Sequence, residues 1–122
     1  MPIIAASAAP TFDAGGAIIT GLASPSRGSV DTAAWRVRFG ANHPSPAHSL
    51  SREEIFVVLE GAVTARFGDR EETATAGGAL IVPAGDEFTL VAKDAPAEAI
   101  CVMAAGGQAT VAGAAFTPPW AE

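Results

Sequence analysis

Glu54-Ile55-Phe56-Val57-Val58-Leu59-Glu60-Gly61-Ala62-Val63-Thr64-Ala65-Arg66-Phe67-Gly68-Asp69 is the stretch on which the fold turns. Ile55 to Leu59 run without a polar interruption and are rich in β-branched and aromatic side chains, so they read as a strand. Apolar on both faces, the run predicts a central strand buried on both sides. Gly61 breaks it, Ala62–Phe67 resumes as a second strand, and Gly68-Asp69 reads as a hairpin turn.

The same rhythm continues outward. Upstream, Ala17–Thr20 follows Gly15-Gly16, and Trp35, Val37 and Phe39 alternate with Arg36 and Arg38, the period of a strand with two unlike faces. Downstream, strands are expected at Glu72–Ala76, Ala79–Val82, Phe88–Ala92 and Ala97–Met103. Alanine favours helix, but 13 glycines and 9 prolines punctuate the 122 residues, and no apolar face persists at helical spacing for three turns. Short strands every ~8 to 12 residues with turn signals between them predict an all-β sandwich or closed barrel. Ala41–Ala47 (ANHPSPA) reads as a loop, because its prolines oppose both helix and central strand. The tail from Ala104 reads as irregular, and Trp120 within it needs apolar cover from the barrel or from a second subunit.

Residues 1–122 suit one domain, large enough to bury a core without a disulfide or metal. The apolar share is 49% and the charged share 16%, which excludes global disorder. Net charge is −6, which argues against nucleic acid or an anionic membrane as partner. No apolar run approaches the ~18 to 20 residues of a spanning helix. The start, MPIIAASAAP, has no basic region, so no secretory signal is expected and the cytoplasm is the default compartment. The single cysteine, Cys101, lies between Ile100 and Val102 and reads as a small hydrophobe.

Two segments carry a family resemblance. From His48 to Gly61, the order His48, Leu50, Glu54, Gly61 resembles the first cupin motif: His-x-His, three or four residues, Glu, six residues, Gly. From Gly77 to Ala92, the residues Gly77, Pro83 and Gly85 fit the second motif, with Phe88 at its histidine position and Ala92 at its asparagine position. The chain is thus similar to small single-domain bacterial cupins of the RmlC-like superfamily. The resemblance implies a jelly-roll β-barrel of two facing antiparallel sheets. Independently of it, Gly61 and Gly85 suit backbone that a Cβ would strain, and Pro83 fixes a strand exit.

The ligand positions are where the chain departs from the pattern. Three histidines and a glutamate have become His48, Leu50, Glu54 and Phe88. Two ligands are too few for a catalytic zinc site or for two His and one carboxylate on iron, so no cofactor is expected. If a divalent transition metal were held, His48 and Glu54 would need a loop ligand such as His43. His48 and Glu54 are otherwise either a hydrogen-bonded pair inside the barrel mouth or a candidate acid–base pair, the carboxylate favouring the charged imidazole. Leu50 and Phe88 add apolar bulk where a metal would sit. By alternation, Phe56 and Val58 share the inward face of Glu54, and Trp35 and Met103 complete the expected pocket. The expected function is binding, with or without transforming, a small partly apolar molecule inside the barrel. The alternatives are a metal-dependent oxygenase or isomerase using His48, Glu54 and His43, and a non-enzymatic sensor or accessory subunit. Cupins span many activities, so whether this chain is an enzyme stays open. A homodimer is also expected, from the apolar content and from Phe116 and Trp120 on the tail.

Overall fold

A computed structural model describes all residues, 1–122. Twelve strands run in chain order: β1 (Thr11–Asp13), β2 (Ala17–Ala23), β3 (Thr32–Phe39), β4 (Ser49–Leu50), β5 (Glu54–Glu60), β6 (Ala62–Phe67), β7 (Arg70–Thr75), β8 (Ala79–Val82), β9 (Thr89–Val91), β10 (Ala97–Ala104), β11 (Ala109–Val111) and β12 (Ala114–Phe116). Three short 3-10 turns, Ala6–Ala8, Pro25–Arg27 and Pro119–Ala121, are the only helical pieces. No helix is long and apolar enough to cross a membrane.

The strands form a six-stranded sheet in the order β1-β2-β3-β10-β5-β8 and two three-stranded sheets, β12-β11-β4 and β7-β6-β9. All strand pairs are antiparallel. Inward residues of all three sheets meet in one core, in which Trp35, Val37, Phe56 and Val58 of the large sheet meet Val63, Ala65, Leu90 and Ala109 of the smaller ones. This is the jelly-roll barrel expected from the strand rhythm and the family motifs.

Alternation sets which side chains reach the interior. On β3, Ala33, Trp35, Val37 and Phe39 are buried while Arg36 and Arg38 are exposed. Arg36 Nε pairs with Glu98 Oε1 of β10 at 3.2 Å, so the charges of β3 are spent on the outer face. On β5, Glu54, Phe56 and Val58 point inward.

Two expectations need correction. The apolar run of β5 is an interior strand between β10 and the edge strand β8, but it is not buried on both faces, because Val57 is 38% and Leu59 47% exposed. The outer face of the large sheet has no second layer over it within one chain. The tail from Ala104 is not irregular. It finishes β10, turns, and forms the β11–β12 hairpin, whose register pairs Ala109 with Phe116 and Val111 with Ala114. Ala112 and Gly113 take positive φ (49° and 83°) at its tip, as both central residues of a type I′ turn must. Strands of three residues, half of their positions alanine, gave little β signal.

Candidate functional site

The site is a cavity of about 410 Å³ opening at one end of the barrel. The large sheet supplies one wall with Ile19, Trp35, Val37, Phe39, Glu54, Phe56 and Met103. The segment leading into β4 supplies Ser45, Pro46, His48 and Leu50, and the C-terminal hairpin and turn supply Ala109, Val111, Phe116, Pro118 and Trp120. The volume lies in the range of sites that enclose a small molecule.

Glu54 opens β5 and is flanked in register by Met103 of β10 and Val82 of β8. It is only 4% exposed, and no protein group hydrogen-bonds its carboxyl. Burial without a partner disfavours the charged form and pushes its pKa up to about 8. Glu54 therefore carries its proton at neutral pH.

His48 sits opposite Phe88, with both backbone bonds of the pair made: His48 N–H to Phe88 O at 3.0 Å and Phe88 N–H to His48 O at 2.8 Å. Its Nδ1 lies 2.9 Å from the Pro46 carbonyl oxygen. A carbonyl only accepts, so Nδ1 carries the hydrogen and Nε2 is left with a free lone pair. Burial lowers the imidazole pKa, against smaller upward pulls from the Pro46 carbonyl and the Glu87 charge. His48 is thus held neutral. Sequence reasoning favoured a charged imidazole beside a carboxylate. The two side chains make neither a hydrogen bond nor an ion pair, and desolvation governs each of them separately.

Of the residues expected in the pocket, Leu50, Phe56, Trp35 and Met103 do line the cavity, together with His48 and Glu54. Val58 and Phe88 do not. Both are buried, but Val58 lies deeper along β5, and Phe88 is enclosed by His48, Phe56 and Phe67, with ring centroids 4.3, 6.4 and 6.0 Å away. His43 is not with the site either. Its ring packs over Gly16 and Gly40, where an added Cβ would come within 2.7 and 3.2 Å of ring atoms. No three His, Cys, Asp or Glu side chains gather at one point, so the donor set does not fit the metal centre of the family pattern. Cys101 is fully buried between Trp35 and Phe56 in register, and burial, with the nearby Glu54 charge, pushes its thiol pKa up. It is a core residue rather than a nucleophile.

The hairpin and C-terminal turn are the part of the wall that sequence reasoning missed. The Trp120 ring packs 6.1 Å from that of Phe12, and Arg27 Nη2 donates to the Trp120 carbonyl at 2.7 Å. The barrel itself gives Trp120 the cover it needed. The demand of a tryptophan on a Pro-rich tail for an apolar seat was the available signal.

The sequence matches the cupin domain family over residues 35–103, and the β11–β12 hairpin lies beyond that match. No curated relative matches the chain. Among solved structures, the polyketide cyclase RemF from Streptomyces resistomycificus superimposes with a TM-score of 0.78 at 17% identity, over 97% of this chain and 89% of that one. KdgF from Halomonas sp. does so at 0.71 and 17%, over 84% and 91%. An RmlC-like cupin from Shewanella frigidimarina does so at 0.71 and 16%, over 84% and 88%. At such identities these likenesses speak to the fold alone. With the motif residues in place and the family match covering more than half of its length, the chain belongs to the cupin domain family.

Proposed function

We propose that this protein binds, and by proton transfer transforms, a small and partly apolar molecule in the barrel cavity without a bound metal. One observation carries the reading. The only ionisable side chains on the cavity wall are Glu54 and His48, and both are held neutral, the first as a proton donor and the second as an acceptor. That is the complement needed for general acid and general base on one bound molecule. The metal-dependent alternative needs a third ligand, and His43 is not on the wall.

A thermal-shift screen of uncharged metabolites tests the reading. A true ligand at about 100 times its Kd adds roughly 2.7 kcal/mol. Glu54→Gln and His48→Gln should each keep the fold and abolish turnover of any ligand found. Binding without turnover would assign the protein to the sensor or accessory class instead. Turnover that chelators abolish and zinc or iron restores would overturn the metal-free mechanism.

We also propose that the protein is a homodimer. The support is less the tail, where the barrel covers Trp120 but leaves Phe116 42% exposed, than the bare outer face of the large sheet. There Ile81 is 63%, Leu59 47% and Val57 38% exposed, side by side on β8 and β5. Contiguous apolar surface of this kind marks an interaction face.

A further inference from the structure

Gly106-Gly107-Gln108-Ala109-Thr110-Val111-Ala112-Gly113-Ala114-Ala115-Phe116 carries no charge, and none of its side chains makes a hydrogen bond. Its hold on the barrel is slight. β11 pairs with the two-residue β4 at Ala109–Leu50 and Thr110–Ser49. Beside these, the Ser51 N–H donates to the Gln108 carbonyl and the Gln108 N–H to Ser51 Oγ, each at 2.8 Å. β12 is an edge strand, exposed throughout. The whole segment lies beyond residues 35–103, which carry the family match. Yet Ala109, Val111, Phe116, Pro118 and Trp120 make one side of the cavity.

Both ends of the segment are defined. At its root the Ala105 N–H is bonded to the Asp31 carbonyl at 3.0 Å. Gly106 follows at φ 82°, with open space where a Cβ would stand, and Gly107 comes next. Adjacent glycines are backbone that swings at little cost. At the far end, the turn Ser24–Ser29 receives the chain. The Ser26 N–H and hydroxyl donate to the Glu122 carbonyl, and Arg27 Nη2 to that of Trp120. This clasp is poorly satisfied. Arg27 Nε, Ser29 Oγ and Trp120 Nε1 are each shielded from water and have no hydrogen-bond partner. Trp120 Nε1 is sealed from the cavity as well, although its residue lines the wall. A buried polar group left unpaired forfeits its hydration without return. All three stand where the segment meets the barrel, so release would give each of them water.

Taking the cavity as a binding site, as argued above, we propose that residues 106–122 form a strap that swings about Gly106-Gly107, releases at Ser26 and Arg27, and opens the side of the cavity to the ligand. Opening breaks the clasp bonds and the short β11–β4 ladder. It leaves intact the long pairings of β10 with β3 and β5, so the barrel persists while the strap is open. Elements held by few bonds and little buried surface open at a lower free energy than the core.

Amide hydrogen exchange in the ligand-free protein tests the motion. The N–H groups of Ser26, Ser51 and Gln108 report the clasp and the β4 edge. Their protection should be about 100-fold lower than that of β10, with one opening constant for all three. Arg27→Gln removes a clasp bond and should speed all three alike, leaving β10 unchanged. Speeding confined to Ser26, or exchange of all three together with β10 in one global event, overturns the strap. A lock tests the gating. Ser49→Cys with Thr110→Cys puts thiols on directly opposed residues, whose Cα spacing of ~4.5 to 5.5 Å suits a disulfide. Cys101 is fully buried and takes no part. N-phenyl-1-naphthylamine, an uncharged apolar fluorophore, serves as the probe in stopped flow. Oxidation of the double variant should slow its association and dissociation at least ~tenfold with Kd unchanged, and dithiothreitol should restore both rates. Unchanged rates in the oxidised variant overturn the gating and leave the binding reading standing. A probe that binds neither the wild type nor the reduced variant overturns the gating together with the function proposed above.

Discussion

The rings of His48 and Phe88 lie with centroids 4.3 Å apart, tilted by 44°, while their backbones exchange both hydrogen bonds. Two motif positions far apart in the chain are thereby opposite each other, and an aromatic ring covers the imidazole where the second motif of the family pattern has its histidine. This cover contributes to the burial that holds His48 neutral.

Phe88→Ala should therefore act on stability and titration together. Truncating a fully buried phenylalanine costs about 3 to 5 kcal/mol, which urea denaturation would report. The His48 pKa should rise toward its ordinary value near 6.5 as water reaches the ring, visible in an NMR titration of the imidazole. A large loss of stability with an unmoved His48 titration would mean that the burial comes from elsewhere.

Glu54 gives the protein a pH dependence whose sign can be worked out. Its pKa is about 8 folded against 4.5 for the unperturbed group. The contribution is fully present below about 4.5, shrinks as pH rises, and is gone above about 8. At about 1.4 kcal/mol per unit, the total is on the order of 5 kcal/mol. His48 works in the other direction: its folded pKa is lowered from 6.5, so its contribution is lost as pH falls below 6.5. Between pH 6.5 and 8, Glu54 acts without that opposition. Urea denaturation should show the wild type losing stability across this window and Glu54→Gln holding level. Parallel profiles would mean that Glu54 is already ionised in the folded protein.

The two motif glycines should separate by mechanism. Gly61 and Gly85 have φ of 74° and 84°, where an L side chain is strained. At Gly85 an added Cβ meets nothing within 4 Å, whereas at Gly61 it would lie 2.7 Å from the Pro96 carbonyl oxygen and 3.1 Å from Ala97 Cα. Gly85→Ala should cost about 1 to 2 kcal/mol, from backbone strain alone. Gly61→Ala adds a clash with backbone that cannot rotate away, and about 2 to 5 kcal/mol is expected. Equal costs in chemical denaturation would contradict the packing argument.

Much of this architecture was legible because its signals are local. The alternation of Trp35, Val37 and Phe39 with arginines, and the glycines around β6, fix strands and faces without knowledge of the rest. The pocket was legible only along one strand at a time. Period 2 from Glu54 correctly turned Phe56 inward but could not say how deep Val58 lies, since depth depends on which strands pass overhead. Phe88 misled for a related reason: its position in the motif marks a site, while its ring has turned to fill space between His48 and Phe67. The hairpin closing the cavity was hidden because its alanines carry no pattern, and its partner, β4, is only two residues long.

The outer face of the large sheet should hold two chains together. In register across three strands, Ile81 of β8 pairs with Ile55 of β5 and Ile55 with Val102 of β10; the next row is Ala79, Val57 and Ile100. Across these three strands the rows are apolar, and polar residues resume at Arg36 of β3, in register with Ile100, and at Glu98. Nothing in one chain covers them, and water in contact with such a surface favours its burial against a like surface. A twofold axis would let the patch meet itself, as isologous dimers require. Light scattering at micromolar concentration should give the mass of two chains. Val57→Lys with Ile81→Lys should give one, with the β circular-dichroism spectrum unchanged, because both side chains point away from the core and surface changes typically move stability by about 0.5 kcal/mol or less. The thermal midpoint of the wild type should also rise with protein concentration, and that of the double variant should not. A wild-type monomer would remove the dimer altogether. A double variant that stayed dimeric would place the interface elsewhere on the barrel.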